Sequence, residues 1–249
     1  MDRWKGRIAL VTGGSMGIGA ATVTALATRG MKVVTCARSF DKLKLLAYDL
    51  NGKGFEVHPI QCDLRQEDEI SAMFKEIKEK YGGVDVLVNS AGLALNANII
   101  DGDKDKWKNM FEVNVYGLMS ITQGAVKSMR ERNVDDGQII NMNSLSGHRV
   151  GKMHVYSATK YAVDAITESI RWELRDINSH IRVMQISPGM VKSHFHATML
   201  GSEKKAEKKY ANSQHLESDD IADIIVYSLS TPPHVQIHDV LVRPTEQVP

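Results

Sequence analysis

Tyr156 and Lys160 stand four residues apart in the string Tyr156-Ser157-Ala158-Thr159-Lys160, at the opening of an amphipathic stretch. On a helix that spacing puts both side chains on one face. A phenol with an ordinary pKa near ~10 is a poor base at neutral pH, and a neighbouring ammonium favours its ionised form. The pair therefore suits proton exchange with an oxygen atom. Ser144 lies just beyond a short apolar run, where its hydroxyl can polarise the same oxygen. Asn114 sits within a helical pattern, although asparagine is an indifferent helix former, which points to a special task there. Taken singly, each has an ordinary explanation as a surface, turn or packed residue. Four such groups meeting at one sheet edge do not.

A second constellation lies near the start. Thr12-Gly13-Gly14-Ser15-Met16-Gly17-Ile18-Gly19 separates an apolar run from a helical segment. Glycines there let the backbone turn tightly and approach a pyrophosphate, while the helix start offers unpaired N–H groups and the positive end of its dipole. The spacing is G-x3-G-x-G rather than the common G-x-G-x-x-G. The end of the next apolar run reads Cys36-Ala37-Arg38-Ser39, with no acid until Asp41. An NAD site wants a carboxylate there for the ribose 2′-hydroxyl. Arg38 instead offers a planar guanidinium to a 2′-phosphate and Ser39 a further hydrogen bond, which favours NADP(H). Asp63 and Leu64, after the third apolar run, are placed to meet the adenine, with a helix cap as the alternative for Asp63.

The elements that must position these groups alternate along the chain. Short apolar runs at 7–11, 32–36, 55–61, 84–89, 138–142, 180–186 and 239–242 read as strands. Helical patterns at 18–29, 66–81, 104–132, 155–177 and 218–229, and one carrying Leu43, Leu46 and Leu50, separate them. The alternation predicts an α/β fold, a single-domain (1–249) Rossmann-type doubly wound sheet of seven parallel strands with helices on both faces. The lysine-rich stretch 195–212 reads as a mobile helical lid, within a lid region of about 194–216.

These motifs together resemble the short-chain dehydrogenase/reductase family over essentially the whole chain. The family's T-G-x3-G-x-G is met by residues 12–19, its N-N-A-G by Asn89-Ser90-Ala91-Gly92, and its P-G-x-V-x-T by Pro188-Gly189-Met190-Val191-Lys192-Ser193. Its asparagine–serine–tyrosine–lysine tetrad is met by Asn114, Ser144, Tyr156 and Lys160. Counting back the usual distance from Tyr156 lands on Asn143. Ser144 matches instead through the following Gly147, so the loop is taken as one residue shorter, with Ser146 the lesser candidate. The resemblance implies hydride transfer between a nicotinamide and a carbinol carbon, with Tyr156 exchanging the proton and Ser144 stabilising the oxygen. Lys160 would bind ribose hydroxyls and lower the tyrosine pKa, and Asn114 would hold a relay water. It also implies that Gly13, Ser15, Gly17, Ile18, Gly19, Asn89, Ala91, Gly92, Pro188, Gly189, Val191 and Ser193 serve the cofactor, and that the chain forms a homodimer or homotetramer through its two long helices.

The expected substrate lining, Leu95, His148, Met153, Met190, Phe195 and Met199, is mostly apolar with adaptable methionines. It suits a bulky apolar alcohol or carbonyl compound. The strings 144–150 and 156–163 and the tail 243–248 resemble the dehydrogenase/reductase member-eleven and farnesol dehydrogenase branch, which implies isoprenoid alcohols, steroids or other carbonyls. A 3-oxoacyl carrier-protein reductase is the alternative enzyme and an NADPH-binding sensor or scaffold the alternative non-enzyme. The 31 basic residues against 30 acidic leave a net charge of +1, no footprint for nucleic acid. No apolar stretch approaches the ~20 residues of a membrane span, and no signal segment opens the chain, so a cytoplasmic protein is expected. Cys36 and Cys62 read as reduced, half-buried thiols, and no metal site is read.

Overall fold

A computed structural model describes residues 1–211 and 213–247. Asn212, at the end of the expected lid, and Val248, in the tail motif, lie outside the described residues. The first strand, β1 (Ile8–Thr12), is buried at every position, and its side chains alternate between two cores. Ala9 and Val11 face α1 (Gly17–Ala27), whereas Ile8 and Leu10 face the opposite side. That two-faced burial is what a central parallel strand requires. β2 (Lys32–Ala37), α2 (Phe40–Gly52), β3 (Val57–Gln61), α3 (Glu67–Tyr81) and β4 (Val86–Asn89) complete the first half. Pro59 removes a ladder donor from β3, which fits its place at the sheet edge. The second half holds α4 (Lys104–Phe111), α5 (Leu118–Glu131), β5 (Gln138–Met142), α6 (His154–Asp176) and β6 (Arg182–Pro188). It ends with α7 (Phe195–Leu200), α8 (Glu203–Ala211), α9 (Ser218–Ser230) and β7 (Asp239–Val242).

All seven strands run parallel in the order β3-β2-β1-β4-β5-β6-β7. The order reverses between β1 and β4, leaving a crevice at their carboxyl ends, where Thr12 pairs with both Cys36 and Asn89. Helices α1, α2 and α9 cover one face; α3, α5 and α6 cover the other. A third apolar cluster lies beyond the sheet edge, around Leu93, Met110, Val155 and Tyr156.

Two expected helices are broken. The pattern 104–132 is one helix in its periodicity, but a π-helical turn at Glu112–Gly117 divides α4 from α5 and carries Asn114. Its end passes close to the β3–α3 connection, and a Cβ on Gly117 would lie 2.8 Å from the Cβ of Leu64. Such turns cluster at functional sites. The lid is two short helices rather than one, because Gly201 takes a left-handed φ of 62° and ends α7. No helix among the described residues is long and apolar enough to cross a membrane.

Candidate active site

A cleft of about 350 Å³ opens at the reversal point and is floored by the glycine loop. Gly13 has φ 71°, and a Cβ there would sit 2.8 Å from the Cα of Ala91. A Cβ on Gly19 would run into the Gly13 carbonyl, so the loop is shaped by close backbone contacts that tolerate no side chain. α1 begins at Gly17 with no side-chain cap from Met16 and no acid in its first turn. Its unpaired N–H groups therefore suit an anion. These features fit a dinucleotide. Ser15, Ile18, Arg38, Ser39, Asp63, Leu64, Ala91, Gly92 and Ser193 line the same cleft, with Arg38 and Ser39 exposed at its rim.

Other expected contacts are placed differently. Asn89 turns into the sheet, where its amide donates to Thr122 and Asn141 at 2.9 Å each. The Asp63 carboxylate already accepts from Arg65 Nε at 3.0 and 3.1 Å, and that pairing holds it below the usual carboxylate range. Pro188, Gly189 and Val191 shape the backbone beside the cleft. The Gly189 N–H donates to Val242 and Val191 bridges to Leu216.

The tetrad meets at the ends of β4 and β5. The Ser144 hydroxyl lies close enough to the Tyr156 phenol to act on its ionisation, while Asn143 turns away to donate to Gln185 at 2.9 Å. Ser144 Oγ also accepts from the Ser146 N–H at 3.1 Å. Lys160 Nζ, 5.7 Å from the Tyr156 ring centre, donates to the Met142 carbonyl at 2.7 Å. Burial drives both ionisations toward the neutral forms. The Tyr156 phenol is pushed well above its ordinary value, partly offset by Ser144, and the Lys160 ammonium falls to about 8. For the phenol, desolvation dominates in this arrangement. The Asn114 amide clasps Leu93, accepting from its N–H at 2.9 Å and donating to its carbonyl at 2.8 Å. It also donates to Thr159 Oγ1 at 3.0 Å. Its side chain thus fixes the β4 exit against α6.

The lid closes over the tyrosine. The Phe195 ring meets Tyr156 edge-on at 5.4 Å, and Leu95, Met153 and Met199 pack in the same apolar cluster. His148 and Met190, both expected there, are elsewhere. His148 turns onto Ser187 and Asp239, where hydrogen bonds favour its polar ring. Met190 is held by backbone bonds to Gln247 and Leu216, outside the cluster. Sequence reasoning missed Met16, His194 and Thr198 at the cleft and Tyr210 beneath the lid. The Tyr210 hydroxyl contacts the Val191 and Ser193 carbonyls, the Ser193 N–H and His196 Nδ1 within 3.2 Å. Its signal was the i, i+4 pair Ala206 and Tyr210, both buried within the lysine-rich run.

The short chain dehydrogenase family model matches residues 7–204. Over their full lengths, the chain is 48% identical to dehydrogenase/reductase SDR family member 11 of Gallus gallus. It is 41% identical to farnesol dehydrogenase of Aedes aegypti, covering 98% of each chain. Among solved structures it is similar to a closed serine dehydrogenase complexed with NADP+, with a TM-score of 0.90, 30% identity and coverage of 97% and 96%. It is also similar to an actinorhodin polyketide ketoreductase with NADPH, with a TM-score of 0.84, 28% identity and 96% coverage of each. With motif, topology and likeness in agreement across the chain, it belongs to the short-chain dehydrogenase/reductase family, oxidoreductases that use nicotinamide cofactors.

Proposed function

We propose that the chain is an NADP(H)-dependent oxidoreductase that interconverts an apolar alcohol with its aldehyde or ketone. The observation that carries this reading is the buried Tyr156–Lys160 pair, 5.7 Å from ring centre to Nζ, beside Ser144 at the edge of the glycine-floored cleft. The nicotinamide, when bound, supplies or accepts the hydride. The chain's own residues handle the proton and the geometry. Tyr156 Oη gives its proton to the carbonyl oxygen in reduction and takes it back in oxidation. Ser144 Oγ, beside that hydroxyl, donates to the same oxygen and fixes its position. Lys160 spends one N–H on Met142 and has two left for ribose hydroxyls. Burial keeps the phenol protonated, the form that donates to a carbonyl oxygen in reduction.

Arg38 and Ser39 at the open rim favour the 2′-phosphate, since no carboxylate occupies the end of β2. The apolar lining and the likeness to a farnesol dehydrogenase support isoprenoid alcohols and aldehydes as the first substrates to try. The test is absorbance at the reduced-nicotinamide band with farnesol, farnesal, steroids and small diketones, using both cofactors. Turnover should fall at least ~100-fold in Tyr156→Phe with NADPH binding retained. Tight NADPH binding without turnover of any alcohol or carbonyl compound would instead mark a sensor.

A further inference from the structure

His148 leaves the apolar cluster for a polar junction on β6 and β7, and that junction bears on Ser144. Its Nε2 lies 2.8 Å from Ser187 Oγ and 3.1 Å from Asp239 Oδ2. The Ser187 hydroxyl gives its own proton to Asp239 Oδ1 at 2.9 Å. Both oxygens facing the ring are therefore acceptors, which requires a proton on His148 Nε2. Asp239 Oδ2 also accepts from Gln185 Nε2 at 3.1 Å, and Gln185 Nε2 donates in addition to Asp164. Gln185 Oε1 in turn accepts from Asn143.

Asn143 and His148 flank the tight turn that carries Ser144, Leu145–Gly147. Both ends of this turn are thus tied by side chains into one junction. At the near end the Asn143 N–H adds a bond to the Ile186 carbonyl at 2.8 Å. At the far end a Cβ on Gly147 would lie 2.8 Å from the Lys160 carbonyl, so the turn is pressed against α6. Beyond it, residues 149–152 are exposed and supply no comparable anchor. His148, Asp164 and Asp239 do bring three possible metal-ligating atoms within 4.8 Å of one another. Donors from Gln185, Ser187 and His148 already engage these carboxylates, so the group reads as a closed hydrogen-bond clamp rather than a cation cradle.

We infer that His148, with Asp239 as its acceptor, is a positioning residue that holds the turn so that Ser144 stays beside Tyr156. The inference rests on the proposed role of Ser144 in the reaction. Hydrogen bonds to a charged acceptor are the stronger kind, and they act here four residues from a group whose placement the chemistry requires. A displacement of ~1 Å at such a group lowers turnover by up to ~100-fold.

The test uses the full chain and two variants. His148→Leu removes both hydrogen bonds at similar volume, and His148→Gln returns an amide donor. Hydrogen exchange with NADPH present should speed up in residues 143–148 of the leucine variant, revert in the glutamine variant and stay unchanged in β1 and α1. In kinetics, His148→Leu should lower kcat by about tenfold or more with NADPH affinity unchanged. In a Ser144→Ala background the same substitution should lower kcat less than about twofold, because the group it positions is gone. An equal loss in both backgrounds, or unchanged exchange in 143–148, overturns the clamp. A wild-type chain that turns over no carbonyl compound would instead sink the proposed function, and the exchange measurement alone then decides the clamp.

Discussion

The two halves of the sheet's carboxyl edge are built from opposite materials. Around β1 and β4 the cleft is shaped by backbone, with Gly13 against Ala91 and Gly19 against Gly13, so almost any added atom collides. Around β5, β6 and the lid the surface is made of side chains: Phe195 edge-on to Tyr156, with Met153 and Met199 in the same apolar cluster. Backbone contacts are stiff and suit a ligand that never changes. Flexible side chains re-pack and suit a choice among related ligands. The difference suits the first half to the proposed cofactor recognition and the second to the proposed substrate selection.

The sharpest way to break that contrast is at the stiff end. Gly13→Ala adds a Cβ 2.8 Å from backbone at a φ of 71°, where neither side can yield. NADPH affinity should fall about 100-fold, since strain and overpacking of this kind each cost ~1–3 kcal/mol. By contrast Met153→Leu, a swap of similar volume on the adaptable side, should reorder substrates by less than about tenfold and leave NADPH affinity alone. Fluorescence titration of NADPH for both variants decides it. Equal loss in the two would remove the distinction.

Next in size is the cofactor's far end. Arg38 lies exposed at the rim, so its effect should be confined to the group it meets. Arg38→Ala should raise the KM for NADP+ about tenfold or more while that for NAD+ barely moves, as expected for loss of a charge-assisted hydrogen bond. Equal changes in both would remove the 2′-phosphate assignment.

This asymmetry also explains what was legible in the sequence. The glycine loop and the Tyr156–Lys160 pair are encoded by neighbours or by helical spacing, so local pattern places them. The seven parallel strands follow from apolar runs buried on both faces. The orientation of His148 is different: its ring has polar partners from β6 and β7, 39 and 91 positions away, and no local pattern reports them. The π-helical turn at Asn114 and the hub at Tyr210 likewise depend on segments that meet only after folding. The register of Ser144 was readable only through the resemblance, because Asn143, Ser144 and Ser146 are all polar and adjacent.

The lid offers a smaller effect. Tyr210→Phe keeps the ring between His196 and His215, 5.2 and 5.4 Å away, and removes only the hydroxyl that gathers residues 191–196. Loss of a net hydrogen bond or two should raise the substrate KM several-fold, about fivefold, with kcat less affected. Hydrogen exchange should quicken in residues 191–200 and not in β1. A selective effect on NADP+ instead would mean that Tyr210 serves the stiff half through Ser193.

Lys160 stands where the halves meet, and its burial gives a signature in stability. The folded-state pKa of about 8 lies below the ordinary lysine value of 10.5. Between these limits the unfolded chain binds more protons than the native one, so stability gains from this group as pH rises from about 8 to 10.5. Below about 8 the full cost of a buried ammonium is present. Lys160→Met cannot titrate, and every other lysine and tyrosine is common to both proteins. Without cofactor, the Tm of the wild type relative to the variant should therefore climb by roughly 5 °C across this window and stay level from pH 6 to 7.5. Parallel Tm curves would show that Lys160 is solvated in the free protein, and the neutral, preformed proton-donor state inferred for the Tyr156 site would go with it.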